Sequence, residues 1–302
     1  MAFRSYSLIV LAAVLCQSAV HGSAFAAPCD NPNALGVSRT IVVNPRVTPA
    51  VGSEDYAARL PLAPGEVVLT FDDGPRPPYT NRVLKALADQ CLQATFFMLG
   101  RNANAYPEMA RQVRAAGHTI GTHTQNHPMH AMSPQRAVVE INTGIASVAN
   151  ALGSPRAIAP FFRFPGLYRT GASENYLRSR GIMVWSIDID SYDYRHSSVS
   201  FMLQRMLTNL ERRHGGILLM HDIQPKTAQA LPALLVELKR RGFRIVHVVP
   251  VEQGVAPELV ARSPTKENVA ANVPRIKHRK FYAKPAAEVA AQPVSFDAAF
   301  DR

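Results

Sequence analysis

The chain has 302 residues, of which 47% are hydrophobic and 18% charged, and it carries a formal net charge of +11. That composition is globular and excludes a disorder-dominated chain, while the length admits one large α/β domain or two small ones. The positive balance calls for an acidic partner, but there is no helix-turn-helix signature, RNA-binding aromatic motif or zinc-finger spacing, so no nucleic acid is expected.

The first 26 residues read as an export signal. Arg4 supplies a positive start, residues 8–20 a short apolar run, and Ala24-Phe25-Ala26 a small-x-small cleavage site. The run falls short of the roughly 20 residues a spanning helix needs. Cleavage after Ala26 therefore leaves no transmembrane span and sends the protein to the periplasm or the exterior. It also removes Cys16 and leaves Cys29 and Cys91, an even number in an oxidising compartment. Cys91 is expected either as a buried thiol packing as a small hydrophobe or in a disulfide that tethers the N-terminal segment. Residues 27–65 are rich in Pro, Gly and Asn, with one strand-like run at 40–43, and read as an arm lying over the domain.

From there strands and helices alternate. Strands are expected at 67–71, 94–99, 118–121, 160–163, 182–187, 216–220 and 244–249. Helices are expected near 80–90, 105–116, 134–152, 173–180, 198–213 and 228–241. Gly117, Gly181 and Gly242 stand where C-terminal caps fall, and Ser133-Pro134 reads as an N-cap followed by the first helical position. Such alternation argues for a mainly parallel sheet, naturally closed as a barrel, with its site at the C-terminal ends of the strands. Residues 66–250 form that domain. Residues 251–302, rich in Ala and Pro, show no sustained periodicity and read as a flexible tail. Its cluster of Arg275, Lys277, Arg279, Lys280 and Lys284 either touches an anionic envelope surface or is a solvated charge run.

Five polar clusters fall at the expected strand ends. The first is Asp72-Asp73 after the apolar run 67–71, closed by Gly74-Pro75. Like charges that close repel, so a positive group, most simply a metal, must stabilise the pair. The second is His123 and His127, at the i, i+4 spacing that puts two imidazoles on one face of a helical turn. With Asp73 they offer two nitrogens and one oxygen and leave a coordination position open, the mark of a catalytic rather than a structural site. The third is Arg163-Phe164-Pro165-Gly166, where an Arg can orient a carboxylate and backbone N–H groups can receive an oxyanion. The fourth holds Asp188, Asp190 and Asp193, and the fifth is His221-Asp222. Each alone is more often structural, but five at one edge point to a catalytic site.

These residues carry a resemblance. From about residue 66 to 249 the chain resembles the polysaccharide deacetylase family, carbohydrate esterase family 4, also called the NodB homology domain. Thr70-Phe71-Asp72-Asp73-Gly74 matches its first motif, His123-Thr124-x-x-His127 the second, Arg163-x-Pro165 the third, Asp193-Tyr194 the fourth and Leu219-x-His221-Asp222 the fifth. The resemblance implies an α/β fold, a distorted (β/α) barrel of about seven parallel strands. It implies one divalent metal, usually zinc with cobalt or nickel as alternatives, bound by Asp73, His123 and His127. It makes Asp72 the general base and His221 the general acid, with Arg163 holding Asp72, Asp193 tuning His221, and Gly166, Tyr194 and Leu219 meeting the oxyanion or substrate.

Two departures stand out: Gly166-Leu167 follows Pro165 where the family usually has an aromatic and then Gly, and Tyr194 replaces the family's groove-lining Trp. The latter bears on sugar selectivity rather than on the chemistry. The implied activity is that of a monomeric enzyme releasing acetate from N-acetylglucosamine in chitin oligomers, peptidoglycan or an exopolysaccharide. An O-acetyl esterase acting on xylan or another polymer fits the same site. A non-catalytic carbohydrate-binding descendant fits less well, because every catalytic position is filled.

Overall fold

The computed structural model describes residues 31–251. The export signal, Cys29 and the tail beyond 251 lie outside the described residues. The N-terminal part supplies strands β1 (Val37–Val43) and β2 (Ala50–Val51). Next come β3 (Glu66–Asp72), α1 (Tyr79–Asp89), β4 (Thr95–Met98), α2 (Gly100–Ala105), α3 (Pro107–Ala115), β5 (Thr119–Thr122) and α4 (Pro134–Leu152). The rest is β6 (Phe161–Phe162), α5 (Gly171–Ser179), β7 (Met183–Trp185), β8 (Ile189–Asp190), α6 (Val199–Arg213), β9 (Gly215–His221), α7 (Pro225–Arg240) and β10 (Arg244–Pro250).

Local chemistry sets several of the boundaries. Ser133 Oγ accepts the Arg136 N–H at 3.4 Å and Pro134 takes the first turn of α4, where its missing N–H costs nothing. Just past α3, α5 and α7, Gly117, Gly181 and Gly242 adopt φ of +82°, +67° and +75°, the left-handed region that a Cβ disfavours. The short helix α2 was not legible: its sequence Gly-Arg-Asn-Ala-Asn-Ala has no apolar stripe and owes its form to packing.

Every strand pairing among the described residues is parallel. The ladder runs β8-β9-β3-β4-β5-β6-β7-β2, and β10 leaves the start of β3 to carry β1. No ladder joins β2 to β8. Instead Ser53 N–H donates to Asp188 Oδ1 at 2.8 Å and Glu54 N–H to the Ile187 carbonyl at 2.9 Å, spanning the break. The result is the irregular parallel barrel that the alternation of elements predicts.

Burial on both faces explains the nearly continuous apolar strands. Val67, Leu69 and Phe71 pack with helix residues such as Val83, Leu87, Leu231 and Leu234. Val68, Phe97, Phe161, Trp185 and Ile217 form a second cluster to which no helix contributes, so the strands enclose it. Ile41 and Val43 of β1, Val51 of β2, and Val246 and Val248 of β10 belong to that inner cluster. The segment read as an overlying arm is thus corrected: its two strands enter the sheet, because their alternate apolar residues complete the interior. Cys91 is disulfide-bonded, while Cys16 and Cys29 lie outside the described residues. No helix among the described residues is long and apolar enough to cross a membrane.

Candidate active site

Strand periodicity delivers the first carboxylate. Val68 points into the inner cluster, so Thr70 and Asp72, two and four residues on, share that face at the strand's end. Asp73 follows with φ +76°, uncommon for a residue bearing a Cβ, and this turn brings its side chain round beside that of Asp72. Arg163, fully buried just past β6, donates from Nη1 to Asp72 Oδ1 at 2.7 Å and to Thr70 Oγ1 at 2.9 Å. Its Nη2 donates to the Ser186 carbonyl at 3.2 Å, and its guanidinium lies 4.3 Å from the Phe97 ring centre. Burial pushes the Asp72 carboxyl up to about 6 against the pull of Arg163.

The two imidazoles sit across from the carboxylates. His123 Nδ1 donates to the Arg163 carbonyl at 2.7 Å, which leaves Nε2 with a lone pair. That lone pair faces Asp73 Oδ1 at 3.5 Å, and His127 Nε2 lies 3.2 Å from the same oxygen. Burial keeps both imidazoles below their ordinary pKa, His123 strongly so. Asp73 Oδ1 is buried and has no hydrogen-bond donor. Acceptors facing one another in a buried place are stable only around a cation, and Asp73, His123 and His127 present one ligand atom each within 4.8 Å of one another. These three residues could hold a metal ion.

The helical turn expected for the histidines is not there. Thr124 and His127 take φ of +71° and +60°, so the segment is a loop, and its shape comes from elsewhere. Glu140 on α4 accepts from Asn126 N–H at 2.9 Å and from Asn126 Nδ2 at 3.0 Å, and Thr124 Oγ1 accepts the His127 N–H at 3.1 Å. The fourfold spacing is satisfied by a loop that folds back, not by helical rise. Glu140 carried no signal in the sequence, because it acts across 14 residues and a change of element.

On the other side of Asp72 stands His221, its register partner on β9. His221 Nδ1 donates to Asp193 Oδ1 at 2.7 Å and its backbone N–H to Asp193 Oδ2 at 2.7 Å. Thr227 Oγ1 also donates to Asp193 Oδ2. Burial opposes charge on His221, but the Asp193 carboxylate overrides it and lifts the imidazole to about 10. Of the three neighbouring carboxylates only Asp193 makes this contact. Asp188 accepts from the Ser53 and Ile217 N–H groups, and Asp190 from Tyr192 N–H and Tyr194 Oη.

Tyr194 is 45% exposed and stands edge-on to His221 with ring centres 5.6 Å apart. Leu219 lies on the same strand face as His221, two residues before it. Gly166, φ +55°, sits between Tyr168 and Met129: a Cβ there would meet the Tyr168 ring at 2.9 Å and Met129 Cε at 3.2 Å. Tyr168 thus occupies the place that a side chain at position 166 would need, and an aromatic here would have to displace its ring. Asp222, beside His221, is fully buried against Gly74 and Thr80, and burial raises its carboxyl to about 7.

A three-donor group flanked by a carboxylate and a charged imidazole, all at the C-terminal rim of a parallel α/β barrel, defines a hydrolytic enzyme. The description "polysaccharide deacetylase" matches residues 60–185. A peptidoglycan-N-acetylglucosamine deacetylase of Bacillus cereus is 33% identical over 189 residues, 60% of this chain and 85% of that protein. Another from the same species, also 33% identical, is matched over 66% of its length. A chitooligosaccharide deacetylase of Azorhizobium caulinodans is 32% identical over 206 residues, 63% of this chain and 95% of that protein. Among solved structures, a peptidoglycan deacetylase of Bdellovibrio bacteriovorus superposes with a TM-score of 0.68 at 30% identity, over 77% of this chain and 65% of that one. The chain belongs to the polysaccharide deacetylase family, and so to the deacetylating hydrolases.

Proposed function

We propose that the protein is a metal-dependent deacetylase that removes N-acetyl groups from N-acetylglucosamine in an envelope polysaccharide, releasing acetate and leaving a free amine. The observation that carries this reading is the placement of Asp72 and His221 on adjacent strand ends beside the Asp73, His123 and His127 group. Relatives named for peptidoglycan and for chitooligosaccharides support the substrate class, and the N-terminal stretch that reads as an export signal supports delivery to the envelope. A divalent ion, zinc by preference, would be held by Asp73, His123 and His127 and would supply Lewis acidity toward the acetyl carbonyl and water.

The chain's own residues carry the protons. Asp72 Oδ1 is held by Arg163, so Oδ2 is the atom that takes the proton from attacking water. His221 Nδ1 is committed to Asp193, so Nε2 carries the proton given to the departing amine, which is otherwise a poor leaving group. Arg163 orients the base and Asp193 keeps the acid charged. The backbone N–H of Gly166 receives the developing oxyanion, and Tyr194 and Leu219 line the sugar's approach. The test is acetate release from peptidoglycan, chitin oligomers and an acetylated exopolysaccharide, with acetylated xylan as the ester comparison. Release from at least one amide substrate, abolished by chelator and restored by zinc or cobalt, is expected. Release from xylan alone transfers the assignment to an O-acetyl esterase, and release from none overturns it.

A further inference from the structure

The proton transfers above leave Asp222 without a part. It follows His221 at the end of β9 and is fully buried. Its Oδ2 accepts from Thr80 Oγ1 at 2.6 Å, while Oδ1 has no hydrogen-bond partner. A buried carboxyl with a bare oxygen is destabilising compared with an apolar side chain of the same size. Its presence therefore asks for a function.

Two contacts identify what it holds. Thr80 Oγ1, which donates to Asp222, accepts the Arg76 N–H at 2.7 Å, so one hydroxyl joins the end of β9 to the turn leading into α1. Gly74 rests directly on the carboxyl: a Cβ built there would stand 2.1 Å from Oδ2 and 2.3 Å from Oδ1. Asp73, one residue earlier, keeps its left-handed conformation only while the surrounding turn enforces it. On the far side, Asn102 Nδ2 donates to the Asp73 carbonyl at 2.7 Å. The turn is gripped from α2 on one side and from Asp222 on the other.

We propose that Asp222 is a positioning residue for the metal group: together with Thr80 it clamps residues 74–76 and so fixes the direction in which Asp73 presents its carboxylate. This rests on the reading of Asp73, His123 and His127 as a divalent-metal site. Partners one step removed from a metal ligand set its affinity by 10- to 100-fold as a rule, and Asp222 acts one residue further along the backbone.

The test is the zinc dissociation constant of the full-length protein, measured by competition with a chromophoric chelator, beside the thermal midpoint of the zinc-free form. Asp222→Ala and Thr80→Val should each weaken zinc binding about 10-fold. Asp222→Asn, which keeps an acceptor for Thr80, should bind close to wild type. If both disruptive variants lower the midpoint but bind zinc as wild type does, Asp222 is scaffold only and the proposal fails. Where Asp222→Ala does not fold, Thr80→Val decides: weakened zinc binding supports the clamp and unchanged binding overturns it. A wild-type protein that binds no zinc would overturn the metal-site reading itself, and this proposal with it, before any variant is compared.

Discussion

At the residue scale, adjacent carboxylates have opposite environments, and the proposed mechanism gives them different work. Asp72 is tied to Arg163, whereas Asp73 Oδ1 meets only two imidazoles. Asp72→Asn should therefore retain metal while turnover falls on the order of 10²-fold or more, and Asp73→Asn should lose metal affinity first and regain activity in excess metal. Metal content measured beside turnover checks both, and the reverse pattern would exchange the two assignments. The pH profile follows from the same contacts. The proposed mechanism needs Asp72 ionised and His221 protonated, so kcat/KM should rise through about 6 or below and fall through about 10. The acid limb moves below 6 when a cation beside Asp72 favours its charge. Asp193 is what raises His221, so Asp193→Asn should shift the alkaline limb to lower pH. An alkaline limb that stays in place would remove Asp193 from this role.

At the scale of elements, the histidine loop is shaped by the helix that follows it. Gly144 of α4 presses on that loop: a Cβ there would lie 2.5 Å from the Thr124 backbone carbon and 2.7 Å from its oxygen. Neither neighbour is a flexible side chain, so Gly144→Ala must push α4 away from residues 124–125. The expected cost is about 1–3 kcal/mol of stability, read by chemical denaturation, together with weaker metal binding because His123 and His127 flank the displaced segment. A variant that keeps wild-type stability would show that the helix can move freely. This dependence also explains why the histidines were legible as a pair but not as a loop. The i, i+4 spacing is a local signal, whereas the left-handed residues that make it work are enforced by Glu140 and Gly144 from another element.

Across the whole molecule, closure of the sheet is what gathers the site. β1 and β2 supply Ile41, Val43 and Val51 to the inner cluster, each worth about 1.5–3 kcal/mol when fully buried. Together they rival the 5–15 kcal/mol by which a domain of this kind is stable. A chain starting at Gly65 should therefore show no cooperative thermal transition by circular dichroism, and a sharp melt would mean the two strands are dispensable. Much of the rest could be read locally. The seven strands from β3 to β10 other than β8, the helices other than α2, the glycine caps and the residue types of the site follow from apolar periodicity, turn chemistry and the rule that sites form where parallel strands end. The sequence by itself determined which groups the protein has for chemistry, because Asp-Asp, His-x-x-x-His and His-Asp at strand ends depend only on neighbours along the chain. The family resemblance paired Asp193 with His221 and Arg163 with Asp72, but the residues alone left Asp188 and Asp190 open, and the tertiary structure supplies the contacts themselves; it alone decided that β1 completes the interior. Each of those contacts joins residues 28 or more positions apart, and their distance in space is set by strand register and ring closure, which no local pattern encodes.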